Sequence, residues 1–559
     1  MNSKISITLA LAAAMTLTTG CSKKLGQMKA DYFTVNPNPL EVVGENVPAT
    51  VSARIPAKYF RKNAVVTVTP YVAWQGGEAA SASYTFQGEK VRGNNPTISY
   101  EKGGAVTIPV KVAYTPEMAH SNLELAFNVV QGSKTYVLPR VTVANGVVAT
   151  ATLATVGSVN PALGADKFQR VIAEKYDADI MFLINQANIR DNQLRTEAVT
   201  NLHKQIDEAS ADSRREIEEI NIRSYASPDG TMEFNTKLAE KREKTTVDYM
   251  NKQLKGKSFG ELTADFTPED WDGFKRLVEA SNIQDKDLIL SVLQMYKDPD
   301  VRDRELRNLT NVFEQLAEEI LPQLRYSRIS AKINVIGKSD DEIRAAYRSN
   351  PSELSVDELL YLATLTDSND EKVQIYSTAA ELYPTDYRTF NNVGLCQYRA
   401  GDYAAARECF AQAARLAPAA AEPQMNLGLV DMIDANYEGA QSRFGNAAAA
   451  PELGEALGVY YLKQGDNVAA ARALEGVNSN NAAVAQILTK DYSGAKKTLA
   501  AISNPDAYTY YIMAVLGART NNEAMILTNL RQSIRLDRTM ADRARNDLEF
   551  SRFNISSVL

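Results

Sequence analysis

The chain has 559 residues, of which 45% are hydrophobic. That is enough for several packed domains of roughly 100–200 residues each. Its net charge is −7, with both signs interspersed and no long basic stripe, so a nucleic-acid partner is not expected. Three cysteines and two histidines, His120 and His203, lie scattered. They form no metal-ligand pattern, and neither metal nor cofactor is expected.

The first element is a leader. Residues 1–20 carry Lys4, an apolar run over 5–17, then Thr18, Thr19 and Gly20 ahead of Cys21. This is the layout of a secretory signal, too short and wrongly flanked to span a membrane. The small residues before Cys21 resemble a bacterial lipobox, although Thr18 stands where that motif prefers leucine. The resemblance implies cleavage before Cys21 and acylation of its thiol. Attached chains partition into a bilayer at about 0.8 kcal/mol per buried methylene. No later apolar run is long enough to span, so Cys21 is the one obvious membrane tether.

Residues 21–158 read as an all-β, sandwich-like region. Runs such as AVVTVTPYVAW, AVTIPVKVAY and LELAFNVV are β-branched, aromatic or alternating, and Gly, Pro and Asn punctuate them. Several short strands with regular turn signals suggest one or two antiparallel sandwich modules. No constellation there would perform chemistry.

Residues 167–337 switch to an α/β pattern. DIMFLI, EEINIRSYA and RISAKINVIG read as strands, and helical spacing appears at Leu194, Ala198, Leu202 and Ile206 and again around Leu238 and Val247. The charge-rich stretch at about 258–324 reads as a helical insertion. After the second strand comes a turn cluster, Ser227, Pro228, Asp229 and Gly230, with Asn235 expected as the N-cap of the next helix. Tyr225, Gly230, Asn235, Leu238 and Arg242 stand in the order and spacing of a known motif, and the region resembles the peptidoglycan-associating domain of OmpA-like proteins. In that family an Asp and an Arg hold the diaminopimelate of the stem peptide. Arg242 matches the Arg, and Ser227 stands at the place of the Asp. Asp229 reads first as a turn residue and second as a stand-in acid. The resemblance implies weak peptidoglycan binding through Arg242, Asp229, Ser227 and Asn235.

Residues 341–559 are nearly all helix, and they repeat. Gly394 and Gly428, Tyr403 and Tyr437, Ala406 and Ala440, Phe410 and Phe444, and Ala413 and Ala447 are pairs 34 residues apart. Small residues where helices cross and large ones between them suit stacked helix pairs. Five or six units are expected, and their signature resembles tetratricopeptide repeats, an all-α solenoid. The resemblance implies a groove for protein segments, lined by Arg388, Asn391, Leu395, Tyr398, Met425, Leu429 and Met432. Leu395 stands where a carboxylate-clamp variant needs Asn, so an apolar groove is expected. Cys396 and Cys409 read as small buried helix residues rather than a bridge, because disulfide geometry between facing helices is demanding.

No nucleophile elbow, phosphate-binding loop or paired-histidine zinc motif occurs, so an enzyme is not expected. The combination of modules resembles outer-membrane lipoproteins of the Bacteroidota. It implies a lipid-anchored scaffold of the cell envelope, on the periplasmic face of the outer membrane, that binds envelope proteins. The competing reading is a surface-exposed adhesin or antigen lipoprotein without wall binding.

Overall fold

A computed structural model describes residues 25–283 and 285–559, leaving aside the side chains of 310–312. The leader and Cys21 lie outside the described residues. The chain divides into two units: Met1–Ala165 together with Asp367–Leu559, and Asp166–Thr366.

In the first unit the expected strands form two sheets. One runs Phe33–Asn36, Asn46–Ile55, Gly104–Ala113; the other runs Lys134–Asn145, Asn122–Gln131, Ala64–Trp74, Tyr84–Gly88, Thr97–Ile98. Asn46–Ile55, Ala64–Trp74 and Asn122–Gln131 alternate buried and outward residues, the period-two signature of half-buried strands. Their inward side chains, among them Val51, Ile108, Val66, Phe86 and Phe127, share one core, so the two sheets pack as a sandwich.

The rest of this unit is helical. After Asn369–Leu382 come five helix pairs: Tyr387–Arg399 with Tyr403–Leu416, Ala421–Ile433 with Tyr437–Gly445, Leu453–Gln464 with Asn467–Ala473, Asn480–Leu488 with Tyr492–Ala500, and Ala507–Arg519 with Glu523–Leu536. A glycine on the first helix admits a large side chain from the second. A Cβ at Gly394 would lie 2.8 Å from the Phe410 ring, one at Gly428 2.5 Å from Phe444, and one at Gly458 2.3 Å from Leu474. The looser third copy therefore keeps the crossing device of the first two while its second helix shrinks to 7 residues.

The second unit is a two-layer α/β fold. Its sheet has the order Val171–Met181, Tyr326–Ile336, Arg215–Tyr225, Glu261–Thr267. The first three strands pair antiparallel and the last is parallel to Arg215–Tyr225. Helices Glu197–Ala211 and Met232–Gln253 supply Val199, Leu202, Ile206 and Met250 to the core beneath Ile220, Ile222 and Ile329. Three expectations are corrected here. The stretch read as wholly helical begins with the strand Glu261–Thr267. Only after it come the helices Trp271–Ala280, Lys286–Met295 and Pro299–Asn308, with a core of their own around Phe274, Ile289 and Leu321. The N-cap of Met232–Gln253 is Thr231, whose side chain accepts from the Phe234 amide; Asn235 sits inside the first turn. Helices Asp340–Ser349 and Val356–Thr364, placed with the repeats by sequence, belong to this second unit. Among the described residues no helix is long and apolar enough to cross a membrane.

Candidate functional site

The first helices of the first two pairs carry asparagines in their interiors, where asparagine is a poor helix former. Asn392 and Asn426 are one repeat apart, and both are fully buried. An asparagine amide offers one acceptor and two donors, which matches the N–H and C=O of a single peptide residue. Residues 155–165 present such backbone. Asn392 accepts from the Gly164 amide (2.8 Å) and donates to the Gly164 carbonyl (2.9 Å). Asn426 does the same at Ala162, at 2.7 and 2.8 Å. On the fourth pair Asn481 repeats the grip at Thr155, at 2.9 and 3.1 Å. Three asparagines thus clasp three residues of one strap, two of them alternate.

Further contacts complete the hold. Asn391 donates to the Ala162 carbonyl (2.9 Å) and accepts from Asn426 (2.9 Å), which links the two neighbouring helices. The Tyr398 hydroxyl donates to the Val156 carbonyl at 2.7 Å, and burial raises its pKa well above the ordinary phenol range. Arg388 donates to the Ala165 carbonyl at 3.1 Å while pairing with Asp386 at 2.7 Å. The strap fits closely. A Cβ at Gly164 would lie 2.9 Å from the Arg388 Cβ, and one at Gly157 2.5 Å from the Tyr403 hydroxyl. Val159, Pro161 and Ala162 are buried, whereas Asn160 and Leu163 face out.

The expected open, apolar groove is therefore corrected. Arg388, Asn391 and Tyr398 do line a segment-binding face, but the occupant is the chain's own strap. Leu395, Met425, Leu429 and Met432 are all buried. Sequence reading missed Asn392, Asn426 and Asn481. The 34-residue offset that revealed Gly394 and Gly428 also links Asn392 to Asn426, two residues upstream, so that pair was findable; Asn481 breaks the period and was not.

The motif residues of the second unit are also engaged from within. Arg242 is fully buried. It donates to the carbonyls of Gln186 (3.0 Å), Tyr225 (2.7 Å) and Leu183 (3.2 Å), and its guanidinium lies 5.0 Å from the Phe182 ring centre. Burial, helped by the charge of Arg325, lowers its pKa to about 10. Asp229 pairs with Arg325 at 2.8 Å and accepts from the Ser227 hydroxyl at 2.6 Å, while Arg325 also donates to Ser227 at 3.0 Å. Arg307 donates to the Asp229 carbonyl. Asn235 donates to Glu269 at 2.9 Å and to the Gly230 carbonyl at 3.3 Å. The structure thus brings Ser227 and Asp229 together around Arg325, sets Asn235 beside Glu269, and turns Arg242 toward backbone. Arg325 and Glu269 had no signal in the sequence.

Among the described residues no group of three His, Cys, Asp or Glu side chains is placed to hold a metal. Cys396 and Cys409 are free thiols, and burial pushes Cys396 up to about 11.

No family model and no curated protein matches the chain. Solved structures similar to it include the hetero-tetramer Cut9-Hcn1 (17% identity over 37% of this chain and 45% of that one, TM-score 0.32). A tetratricopeptide repeat protein from Parabacteroides merdae is also similar (13%, 37% and 91%, 0.30), as is yeast Tom70 (13%, 56% and 83%, 0.26). The chain spans less than half of the first of these. At such scores the likenesses carry no argument; the helix-pair array above stands on its own packing.

Proposed function

We propose that the chain is a non-enzymatic, lipid-anchored scaffold of the cell envelope that binds protein partners on its helix-pair array. The observation that carries this reading is the row of buried asparagines clasping extended backbone, since a face able to hold one segment that way is suited to protein segments in general. The lipobox-like Cys21 supports a membrane tether on the periplasmic face of the outer membrane. The OmpA-like character of residues 167–337 rests on the motif order and spacing around Arg242. In this reading wall association is weak at most, because Arg242 is engaged by three carbonyls and Asp229 by Arg325.

Two measurements test the reading. Cys21→Ser should release the full chain from washed membranes; a variant that still pellets in high salt places the tether elsewhere. In cells, a photo-crosslinking residue at Arg399, exposed on the array beside Asn160 of the strap, should capture envelope proteins in the native chain and lose them when Asn392 and Asn426 are both changed to Ala. Unchanged capture would move partner binding off this face.

A further inference from the structure

We infer that residues 155–165 are a resident pseudoligand, and that the asparagine row is the binding site for an extended, uncharged segment of a partner protein that enters when the strap leaves. The inference rests on the proposed partner-binding role of the array and names the ligand class of that site. Three features support it. The three bidentate grips read main chain alone, so they admit many sequences. The selectivity lies in size. Close approach at Gly164, and the full burial of Ala162, leave no room for larger side chains there, whereas Leu163 between them and Asn160 before them point outward. Third, the strap is separable from what it binds. It belongs to no sheet, and its one regular stretch is the short 3₁₀ turn Val156–Ser158. Its removal would leave the helix crossings at Gly394, Gly428 and Gly458 untouched.

The fitting ligand is therefore extended, without charge, and carries Gly or Ala at two alternate positions matching Ala162 and Gly164. Asn391 ties the amides of Asn392 and Asn426 into one network, so the row is preorganised for such a chain. The strap's covalent attachment gives it a high effective concentration, which a free segment of equal intrinsic affinity cannot match. Native protein should consequently take up a free peptide poorly.

The test uses the full chain and a labelled synthetic peptide of this chain's residues 155–165. Gly164→Leu drives a side chain into Arg388 and should expel the strap while leaving the asparagine row intact. We expect this variant to bind the peptide roughly a hundredfold or more tighter than the native chain does. Adding Asn426→Ala to it should cost about tenfold or more, since it removes a two-point grip. Ala162→Trp, at a strap position that is fully buried, provides a second route to release should Gly164→Leu distort the array; circular dichroism checks that each variant keeps its helices. The inference is overturned if both strap variants remain helical and neither binds the peptide better than native, or if Asn426→Ala leaves their binding unchanged. It is also overturned if they form concentration-dependent dimers that exclude the peptide, which would assign the site to a second copy of this chain. Peptide binding as expected, without crosslinked partners in cells, would sustain the site and remove the proposed scaffold role; partners without peptide binding would do the reverse.

Discussion

Two sites in this chain use one device, a buried side chain that reads backbone, and they differ in whose backbone is read. In the helical array, Asn392, Asn426 and Asn481 clasp a strap that contributes to no sheet. In the α/β unit, Arg242 holds carbonyls at Leu183, Gln186 and Tyr225, which belong to the strand end and turns that its own helix covers. Arg242 was legible as a binding residue and the three asparagines were not, yet both sites prove to be satisfied from inside. The difference lies in separability. In the inference above the strap leaves while the array that grips it stays folded; the carbonyls under Arg242 cannot leave without opening the unit. A motif residue that is engaged internally can thus belong to an exchangeable site or to a structural one, and the identity of its partner decides which.

The sharpest way to break the comparison is to remove Arg242. Arg242→Ala strips three partly buried carbonyls of their donor and empties a large space, and each polar group left unpaired on burial typically costs about 1–3 kcal/mol. Arg242→Lys should rescue little, because a single ammonium cannot serve three acceptors that match a planar fork. Denaturant unfolding, followed by amide exchange in Arg215–Tyr225 and Tyr326–Ile336, reads the effect. A loss below about 1 kcal/mol would mean that Arg242 is free for an outside ligand. The array should hold its protection in either case.

A smaller effect sharpens the other half. Gly428→Leu forces a Cβ toward Phe444, and such overpacking costs about 1–3 kcal/mol. The spacing of the first two pairs also sets the distance from Asn392 to Asn426. The variant should therefore raise amide exchange at Ala162 and Gly164, which it does not touch, while the α/β unit stays unchanged. Asn426→Ala should open the strap alone, at about 1–2 kcal/mol for an unpaired buried amide at Ala162. Limited proteolysis within 155–165 with intact helicity is the expected result; global loss of helicity would make Asn426 a core residue rather than a reader.

How much of this was readable beforehand follows from what each feature repeats against. The β region and the helix pairs announced themselves through periodicity, as in the alternation of AVTIPVKVAY and the 34-residue spacing of Gly394 and Gly428. Glu261–Thr267 was hidden because its alternation of Leu262, Ala264 and Phe266 is short and lies at the head of a charge-rich helical stretch. The strap was hidden for a different reason. Its sequence, small and nearly featureless, reads as a linker, and only the tertiary arrangement reveals that its backbone polar groups are paired. Arg325 gave no local sign, since its role depends on a turn almost a hundred residues away.

The smallest predicted effect concerns pH and separates the two sites once more. Glu455, on Leu453–Gln464, is buried. Burial raises its carboxyl above the ordinary range, while hydrogen bonds from Ser479 and the Asn160 amide pull it partly back. A carboxyl raised on folding contributes stability that is fully present below its unfolded value and is lost as pH rises through its folded value. The strap meets Glu455 at Asn160 and so contributes to that burial, which outweighs the hydrogen bonds; part of the loss should therefore appear as strap release as pH rises above the ordinary carboxylate range. Glu549 is raised by burial as well, so the native profile alone does not isolate Glu455. The comparison that does is native against Glu455→Gln at each pH, read by amide exchange at Ala162. The variant should hold the strap more firmly than native at the alkaline end and equally at the acid end, with no change in the Arg242 site at any pH. A constant ratio across the range would mean that the strap does not feel the carboxylate, and the first site would then be as insensitive to proton uptake as the second.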